Sequence, residues 1–293
     1  MTETAQIIAS YGRRYVVRTD NGAVYDATTR KKRVDFACGD WVRVTPQNAE
    51  QVVIEDYLPR QSLLYRQDAW KTKLIAANVT RLLIVLAAVP SPNEGLLQRA
   101  LLAAEAGGIE PVIVLNKADL PETGLWREKL GFYETLGYAV YPVCALENAD
   151  VLSPVLQGQT SIFLGQSGMG KSTLTNALLG RDVARTGDIS AALDSGKHTT
   201  THARLYDLDA QSKLIDSPGL QEFGLAQLEI PDLLHYFPEM RHLSGQCRFH
   251  NCTHRQEPGC AVKSAVESGQ IRAERLAFLQ RITDELARYR QRN

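Results

Sequence analysis

The sequence of 293 residues predicts an α/β protein built from three consecutive parts. Short β-type segments separated by turn residues fill the first part, and apolar runs alternate with helical periodicity from about residue 70 to 230. Cysteines and histidines then crowd together before a final amphipathic helix. We therefore predict a small β-barrel in residues 1–62, a parallel sheet covered by helices in 63–230, and a cysteine-rich, α-rich block in 231–293.

Charge and composition exclude several classes of protein. The 33 lysines and arginines balance 33 acidic residues, so no overall field draws the chain to nucleic acid or to a membrane. Hydrophobic residues at 44% and charged residues at 23% are typical of folded globular domains. The longest apolar run, residues 82–89, is far shorter than the roughly 20 residues that cross a bilayer, and the first residues lack a signal-peptide pattern. We expect a soluble, cytoplasmic protein with no membrane partner.

The first part contains five short β-type segments with no helical stretch between them. Turn residues such as Asn21 and Gly22 separate the segments, which predicts a small barrel. The OB-fold is the commonest such barrel that binds oligonucleotides, and four adjacent cations at residues 30–33 favour a role in RNA binding. A structural β-domain without a nucleic-acid role remains the alternative. The predicted strands are residues 6–9, 14–19, 23–28, 41–45 and 51–57.

The middle part has the pattern of a nucleotide-binding α/β core. Residues 82–89 and 111–115 are apolar runs typical of buried parallel strands, and residues 96–106 have helical periodicity between them. Further strands are predicted at residues 138–143, 161–164, 203–208 and 213–215. The alternation predicts a parallel sheet covered by helices.

The strongest motif is a glycine-rich loop between a predicted strand and a predicted helix. Its glycines allow backbone N–H groups to surround a phosphate chain, Lys171 supplies a cation to the β- and γ-phosphates, and Ser172 offers a hydroxyl to Mg²⁺. The strand before the loop and the helix after it are the context that this motif requires. The predicted phosphate-binding residues are Gly165, Gln166, Ser167, Gly168, Met169, Gly170, Lys171, Ser172 and Thr173.

A second motif selects the base. Asn116, Lys117 and Asp119 follow the strand at residues 111–115, and the Asp119 carboxylate can accept two hydrogen bonds from guanine but finds no matching donor pair on adenine. This four-residue string is weak evidence alone and strong evidence beside a phosphate loop. The loop at Cys144 and Ala145 can offer a backbone N–H to the guanine O6, although a plain strand-to-helix turn explains it nearly as well.

Two further segments have the pattern of nucleotide-dependent switches. Asp216 ends a predicted strand, where a carboxylate can hold Mg²⁺ through water, and the N–H of Gly219 can reach the γ-phosphate. Residues 196–202 form a polar segment rich in threonine, one of whose hydroxyls can complete the Mg²⁺ shell. An ordinary flexible loop is the alternative for residues 196–202.

The last part offers five candidate ligands for a metal ion. A closed tetrahedral site needs four, and spacing alone cannot select them. A site closed by four sulfur and nitrogen ligands has no open position for water, so the metal is expected to be structural. The candidates are Cys247, His250, Cys252, His254 and Cys260.

Together the motifs resemble those of GTPases, but their order differs. Most GTPases run from phosphate loop through threonine switch and DxxG to NKxD, whereas here Asn116 and Cys144 precede Gly165. The order predicts a circularly permuted GTPase domain. With the N-terminal barrel and the cysteine-rich end, nearly the whole chain resembles the ribosome small subunit-dependent GTPase A family of bacteria.

The resemblance implies an OB-fold, a permuted GTPase domain and a zinc domain. Such proteins act late in maturation of the small (30S) ribosomal subunit, bind rRNA, and hydrolyse GTP to GDP and phosphate with stimulation by the subunit. The implied cofactors are GTP or GDP, Mg²⁺ and one Zn²⁺ per chain, and we expect a monomer. A GTP-switched RNA-binding factor acting on another RNA is the alternative function, and a P-loop enzyme acting on a metabolite is a second one that the Asn116 motif disfavours.

The resemblance also implies roles for individual residues. Thr200 contacts the switch Mg²⁺, and His198 is the catalytic candidate beside it. Cys144 replaces the more usual serine of the guanine loop, which a backbone donor tolerates. The family spacing selects Cys247, Cys252, His254 and Cys260 as zinc ligands and leaves His250 outside.

Chain order makes one further prediction. Gly219 lies within about a dozen residues of the cysteine-rich block, whereas the barrel joins the core ahead of residue 82. Loss of the γ-phosphate contact at Gly219 is therefore expected to change the docking of the C-terminal block and to affect the barrel less.

Overall fold

The computed structural model describes residues 2–30, 35–68, 71–180, 203–217 and 224–292. The predictions for His198, Thr200 and Gly219, and for most of the cationic run at 30–33, lie outside these ranges. The described strands are β1 (Glu3–Tyr11), β2 (Arg14–Thr19), β3 (Val24–Thr29), β4 (Trp41–Pro46), β5 (Gln51–Tyr57), β6 (Leu63–Asp68), β7 (Lys71–Ala77), β8 (Arg81–Ala87), β9 (Glu110–Asn116), β10 (Ala139–Val143), β11 (Thr160–Leu164), β12 (Ala203–Asp207) and β13 (Lys213–Asp216). The described α-helices are α1 (Glu94–Gly107), α2 (Thr123–Thr135), α3 (Ser153–Leu156), α4 (Lys171–Leu179), α5 (Ala261–Glu267) and α6 (Ala273–Arg292).

Strands β1 to β5 form the predicted N-terminal barrel. β1 pairs antiparallel with both β2 and β4, β4 pairs antiparallel with β5, and β3 pairs parallel with β5. Alternating side chains of these strands point inward around Ile7, Tyr15 and Ile54, which are almost fully buried. The prediction of a five-stranded barrel is confirmed.

The central sheet carries parallel strands in the order β10-β9-β8-β11-β13, with β12 beyond β13. Leu82 and Ile84 of β8 point into a core on one face, while Leu83 and Val85 point into a core on the other face. Burial on both faces explains why this strand is a continuous apolar run. The motifs at residues 116, 144, 165 and 216 all lie at the carboxyl ends of the parallel strands or directly after them, where ligands bind in open α/β sheets.

Two features of this part differ from the sequence-based expectation. β12 runs antiparallel to β13, although a parallel sheet was predicted, because the short connection between Asp207 and Lys213 allows only a hairpin. Strands β6 and β7 form a separate two-stranded hairpin between the barrel and β8 that the pattern did not predict.

The C-terminal block packs on one face of the central sheet and shares its hydrophobic core. Phe278 and Ile282 of α6 belong to the same buried cluster as Leu97 and Leu101 of α1. The periodic apolar stripe predicted for this helix is thus confirmed, and it is the buried face. The block therefore cannot reorient without exposing core side chains.

Polar contacts add to this packing. Arg275 of α6 forms an ion pair with Glu239, both side chains being less than one tenth exposed. Arg99 of α1 donates two hydrogen bonds, of 2.6 and 2.9 Å, to the carboxylate of Glu285. The Arg275 pair lies within the block, where loss of either partner would leave an uncompensated buried charge. The partly exposed pair of Arg99 and Glu285 is the one that joins the block to α1.

The barrel adjoins the central sheet through strand pairing. Ala9 and Ser10 of β1 pair antiparallel with Arg204 and Ala203 of β12, so eleven of the described strands form one continuous sheet. Ala203 directly follows the predicted threonine switch along the chain. The barrel thus has a connection to this region besides the one along the chain, and the smaller effect of the nucleotide on the barrel stays a prediction. Among the described residues, no helix is long and apolar enough to span a membrane.

Candidate functional site

The glycine-rich loop lies between β11 and α4, as its motif requires. A Cβ atom added at Gly165 would lie 2.2 Å from the carbonyl oxygen of Val85, and one added at Gly170 would lie 2.1 Å from the side-chain nitrogen of Asn116. Gly170 also has a φ of 91°, in the left-handed region that favours glycine. Glycine is therefore required at both positions, because other segments of the same chain approach them too closely for a side chain.

The side chain of Lys171 folds back over this loop. Its Nζ donates hydrogen bonds to the carbonyl oxygens of Gly165, at 2.6 Å, and of Gln166, at 2.8 Å. Burial lowers the pKa of Lys171, whereas the nearby Asp216 carboxylate raises it. Burial in turn raises the pKa of Asp216, and the Lys171 ammonium lowers it. The Lys171 ammonium and the Asp216 carboxylate thus interact electrostatically.

Three other side chains of the loop have distinct positions. The Gln166 Oε1 accepts the backbone N–H of Asn93 at 2.7 Å, and the buried Met169 sulfur accepts the N–H of Ala87 at 3.1 Å. These contacts attach the loop to the end of β8 and to the segment between β8 and α1. Ser172 is exposed in the first turn of α4 and remains open to a ligand.

Asn116 connects two loops of the site to the end of a strand. It ends β9 and is 1% exposed. Its Nδ2 donates to the carbonyl oxygen of Met169 at 2.9 Å, and its Oδ1 accepts the backbone N–H of Ala145 at 3.1 Å. One side chain therefore holds the glycine-rich loop and the loop after β10 against the end of β9.

The turn after Asn116 is held by side-chain hydrogen bonds to backbone carbonyl oxygens. Lys117 has a left-handed φ of 57°, and its Nζ donates to the carbonyl oxygen of Val89 at 2.8 Å. The hydroxyl of Thr123, at the start of α2, donates to the carbonyl oxygen of Lys117 at 3.0 Å. Asp119 is exposed on this turn, so its carboxylate is available to a ligand.

The loop after β10 contains a residue that sequence reasoning missed. The side-chain oxygen of Asn148 accepts the backbone N–H of Cys144 at 2.7 Å, and the Asn148 N–H donates to the Cys144 carbonyl oxygen at 2.9 Å. The backbone N–H of Leu146 lowers the pKa of the Cys144 thiol, but burial and the neighbouring Asp119 carboxylate raise it, and the result is a raised pKa. An asparagine four residues after Cys144 was the available signal, because Asn side chains often cap such turns.

Of the residues predicted to contact Mg²⁺, Ser172 and Asp216 lie in the described part of the chain. A serine hydroxyl and a carboxylate are hard oxygen donors of the kind that Mg²⁺ prefers, and both lie at the phosphate end of the site. The residues present therefore fit the ion. Nothing in the described ranges tests the predicted contribution of Thr200.

Four side chains of the C-terminal block converge as a metal site would require. Their ligand atoms all lie within 4.8 Å of one another, and the Cys247 sulfur lies 3.7 Å from the His254 Nδ1 and 4.0 Å from the Cys260 sulfur. Tetrahedral zinc ligands are separated by about 3.6 to 3.8 Å, given metal–ligand bonds of about 2.0 to 2.3 Å. The residues therefore fit zinc. The cluster comprises Cys247, Cys252, His254 and Cys260, whereas His250 lies outside it and is exposed.

Neighbouring contacts hold the metal-binding loop in place. Burial lowers the pKa of His254, which favours the neutral imidazole that binds metal, although Glu257 has the opposite effect. The carbonyl oxygen of His254 accepts a hydrogen bond from Gln280 of α6 at 2.7 Å. The backbone of Arg248 bonds to that of Gly259 at 3.0 Å, closing the loop at its base. The cluster is thus attached to the helix that packs on the central sheet.

Comparison with known proteins gives consistent matches. A sequence model of the RsgA GTPase family matches residues 57–226. The Small ribosomal subunit biogenesis GTPase RsgA of Neisseria meningitidis serogroup C is 78% identical over 286 residues, covering 98% of this chain and 93% of that protein. The protein of the same name from Nitrosomonas europaea is 46% identical over 287 residues, covering 97% and 91%.

Solved structures have the same fold. The crystal structure of YjeQ from Thermotoga maritima superimposes with a TM-score of 0.74 at 28% identity, covering 98% of this chain and 99% of that one. The structure of YloQ, described as a circularly permuted GTPase, gives a TM-score of 0.71 at 24% identity, covering 99% and 96%. At that identity the second match shows the fold alone.

Proposed function

Because the chain belongs to the RsgA GTPase family, we propose that it hydrolyses GTP to GDP and phosphate during biogenesis of the small ribosomal subunit. The contacts of Asn116 are the observation that carries the nucleotide part of this proposal. They join the glycine-rich loop, the end of β9 and the loop after β10, which are the three elements that a guanine nucleotide needs at once. The relatives cover nearly the full chain, which supports a role for all three of its parts.

In this proposal Asp119 reads the base by accepting hydrogen bonds from N1–H and the exocyclic amine of guanine. The Lys117 stem lies along the base, and the loop of Cys144 and Ala145, held by Asn148, faces O6. Backbone N–H groups of the glycine-rich loop surround the phosphates. Lys171 exchanges its carbonyl partners for phosphate oxygens.

The hydrolytic part is proposed for the phosphate end of the site. Ser172, Thr200 and Asp216 would hold Mg²⁺, and Gly219 would contact the γ-phosphate. Bound Mg²⁺ neutralises charge on the β- and γ-phosphates during transfer to water. His198 is proposed to position the attacking water. In many GTPases a glutamine after DxxG does this, but here that position is Leu220, which offers no side-chain hydrogen bond.

The outer parts of the chain are proposed to serve this reaction indirectly. We propose an OB-fold that binds rRNA in residues 1–62, the GTPase domain in 63–230, and a zinc domain in 231–293. The four-ligand cluster would hold one structural Zn²⁺. We further propose that the protein acts in the cytoplasm as a monomer.

Guanine selectivity is expected to depend on Asp119. In Asp119→Asn the amide presents a donor where guanine also has a donor, so GTP affinity should fall at least tenfold while xanthosine triphosphate, with an acceptor there, should bind better. Displacement of a bound fluorescent guanine nucleotide by GTP and by xanthosine triphosphate measures the two affinities. Asp232→Asn, on an exposed carboxylate away from the site, is the control. Unchanged GTP affinity in Asp119→Asn would remove Asp119 from the proposed site.

Stimulated hydrolysis is expected to depend on His198. His198→Ala should lose roughly a hundredfold in turnover with small subunits, because a group that orients or deprotonates water contributes on that scale, and should keep its nucleotide affinity. His202→Ala is the comparison, since it removes a nearby histidine of the same segment. Full stimulated activity in His198→Ala, with loss in His202→Ala, would transfer the role to His202.

One experiment tests the proposed function as a whole. GTP turnover by the full chain is measured alone, with purified small subunits and with purified large subunits, and released phosphate is followed directly. We expect stimulation by small subunits and none by large ones. Stimulation by large subunits or by another RNA would favour the factor acting elsewhere, and transfer of phosphate to a metabolite would indicate a different class of enzyme.

A further inference from the structure

Strand β1 belongs both to the barrel and to the central sheet. Residues 3–6 pair with β4 inside the barrel, whereas the later part of the strand pairs with Ala203 and Arg204 of β12. The register of β1 against β2 shifts between Ile7 and Ala9. Bulges of this kind bend a strand from one sheet into another. The barrel is therefore bonded through its backbone to the hairpin formed by β12 and β13.

The turn end of this hairpin is tied to the barrel by side chains from both of its strands. Arg18 of β2 forms a two-pronged ion pair with Asp207, the last residue of β12. Lys213, the first residue of β13, donates to the Oε1 of the buried Gln6 at 2.6 Å and lies over the ring of Trp41. The Arg18 hydrogen bonds lower the pKa of Asp207, so the pair is charged at neutral pH.

The other end of the same hairpin enters the nucleotide site. Arg204 is opposite Asp216 in the register, and Asp216 ends β13 at the same edge of the sheet at which β11 leads into the glycine-rich loop. The Asp216 carboxylate interacts electrostatically with Lys171. From Lys213 to Asp216 the strand is roughly 10 Å long at about 3.3 Å per residue. A shift of the hairpin at the barrel is thus transmitted over a short distance to Asp216.

The attachment of the barrel differs from that of the C-terminal block. The main barrel core is built from its own strands. The barrel contacts its neighbours mainly through strand pairing, hydrogen bonds and side-chain ties, with little apolar packing beyond Ile8 and Cys38. The C-terminal block instead shares the large core of the central sheet. Because interdomain contacts made through few groups are easier to shift than a shared core, the barrel is the part whose small movements can reach the site.

We propose that Arg18 and Asp207 form a positioning pair through which the barrel sets the place of Asp216 in the nucleotide site. The inference rests on the proposed function, since that function assigns Asp216 to the Mg²⁺ shell. Without the pair the hairpin is held less tightly, Asp216 samples more positions, and the nucleotide complex binds Mg²⁺ less well. A ligand on the barrel that moves β1 or β2 acts on the same residue.

The test measures binding of a fluorescent, non-hydrolysable GTP analogue to the full chain as Mg²⁺ is varied. In Arg18→Gln and in Asp207→Asn the half-saturating Mg²⁺ concentration is expected to rise about threefold, the scale of one partly exposed ion pair. At saturating Mg²⁺ the affinity for the analogue should equal that of the wild type. The exchanged pair, Arg18→Asp with Asp207→Arg, should restore the wild-type Mg²⁺ dependence. Arg43→Gln, an exposed arginine of β4 without an ion-pair partner in the described part of the chain, is the control.

A second measurement does not depend on nucleotide binding. Hydrogen exchange in residues 203–207 and 213–216 should be faster in both single variants and normal in the exchanged pair. Wild-type Mg²⁺ dependence in the single variants, or a defect that the exchanged pair does not restore, would overturn the positioning role. If the wild-type chain itself fails to bind the analogue, the proposed function is wrong. The hydrogen-exchange rates then still show whether Arg18 and Asp207 hold the hairpin.

Discussion

Replacement of Asn116 by alanine is expected to weaken binding of both GTP and GDP by about a thousandfold. The substitution leaves the Met169 carbonyl and the Ala145 N–H without their partner, and a buried polar group left unsatisfied costs about 1 to 3 kcal/mol. Because Asn116 is only 1 % exposed, two unsatisfied groups there cost about 4 kcal/mol of binding free energy, which corresponds to about a thousandfold loss of affinity. The loops that must face phosphate and base together would then separate, so the bound state loses most of its preorganisation.

Equilibrium titration with a fluorescent guanine nucleotide measures this loss directly. Asn48→Ala is the matched control, because Asn48 makes hydrogen bonds only within an exposed turn of the barrel among the described residues. The circular dichroism spectrum and melting temperature of both variants show whether the sheet is intact. A loss of less than tenfold in a folded Asn116→Ala protein would mean that the loops are held mainly by other contacts.

Loss of one metal ligand is expected to have the largest effect on stability. In His254→Ala the site keeps three sulfur ligands, should release zinc, and should loosen the segment around residues 244–260. Structural zinc contributes apparent binding free energies of about 10 to 16 kcal/mol in small domains, and this block is too small to hold its loop by core packing alone. Because Gln280 bonds to the His254 carbonyl, the loosening should extend to α6 and its packing against α1.

His250→Ala is the control for His254→Ala, since it removes a histidine of the same loop that lies outside the cluster. Metal analysis should find one zinc per chain in the wild type and in His250→Ala, and much less in His254→Ala. Limited proteolysis should cut His254→Ala within the loop. If His250→Ala lost the metal and His254→Ala kept it, the ligand set drawn from the four converging side chains would be wrong.

The two outer parts of the chain are joined to the nucleotide site by different physical means. The C-terminal block contributes side chains to a core that it shares with α1, so its position is set by burial of apolar surface. The barrel keeps its own core and contacts the site through β1 and the hairpin that ends at Asp216. Proximity along the chain favours the C-terminal block as the responsive part, and the strand pairing of β1 gives the barrel a connection to the site as well.

Much of the candidate site could be predicted from sequence because its requirements are local. Gly165 and Gly170 lie where a Cβ atom would collide with other segments of the chain. The motif predicts glycine at both positions even when those segments are unknown. Asn116 follows an apolar run long enough to be recognised as a buried strand. The helix of the C-terminal block was predicted from its apolar period, which the buried face of α6 confirms. Each of these signals lies within a short window of the chain.

What the sequence determined by itself was the set of local elements, the chemistry of the glycine-rich and guanine motifs, and five candidate metal ligands. The tertiary structure alone decided that β12 runs antiparallel, that β1 joins two sheets, that Asn148 holds the guanine loop, and which four ligand candidates converge. The reason is the range of the interactions. A turn or a helical face depends on residues a few positions apart, whereas the pairing of Ala9 with Arg204 joins distant parts of the chain and is favoured only once both domains have folded beside each other.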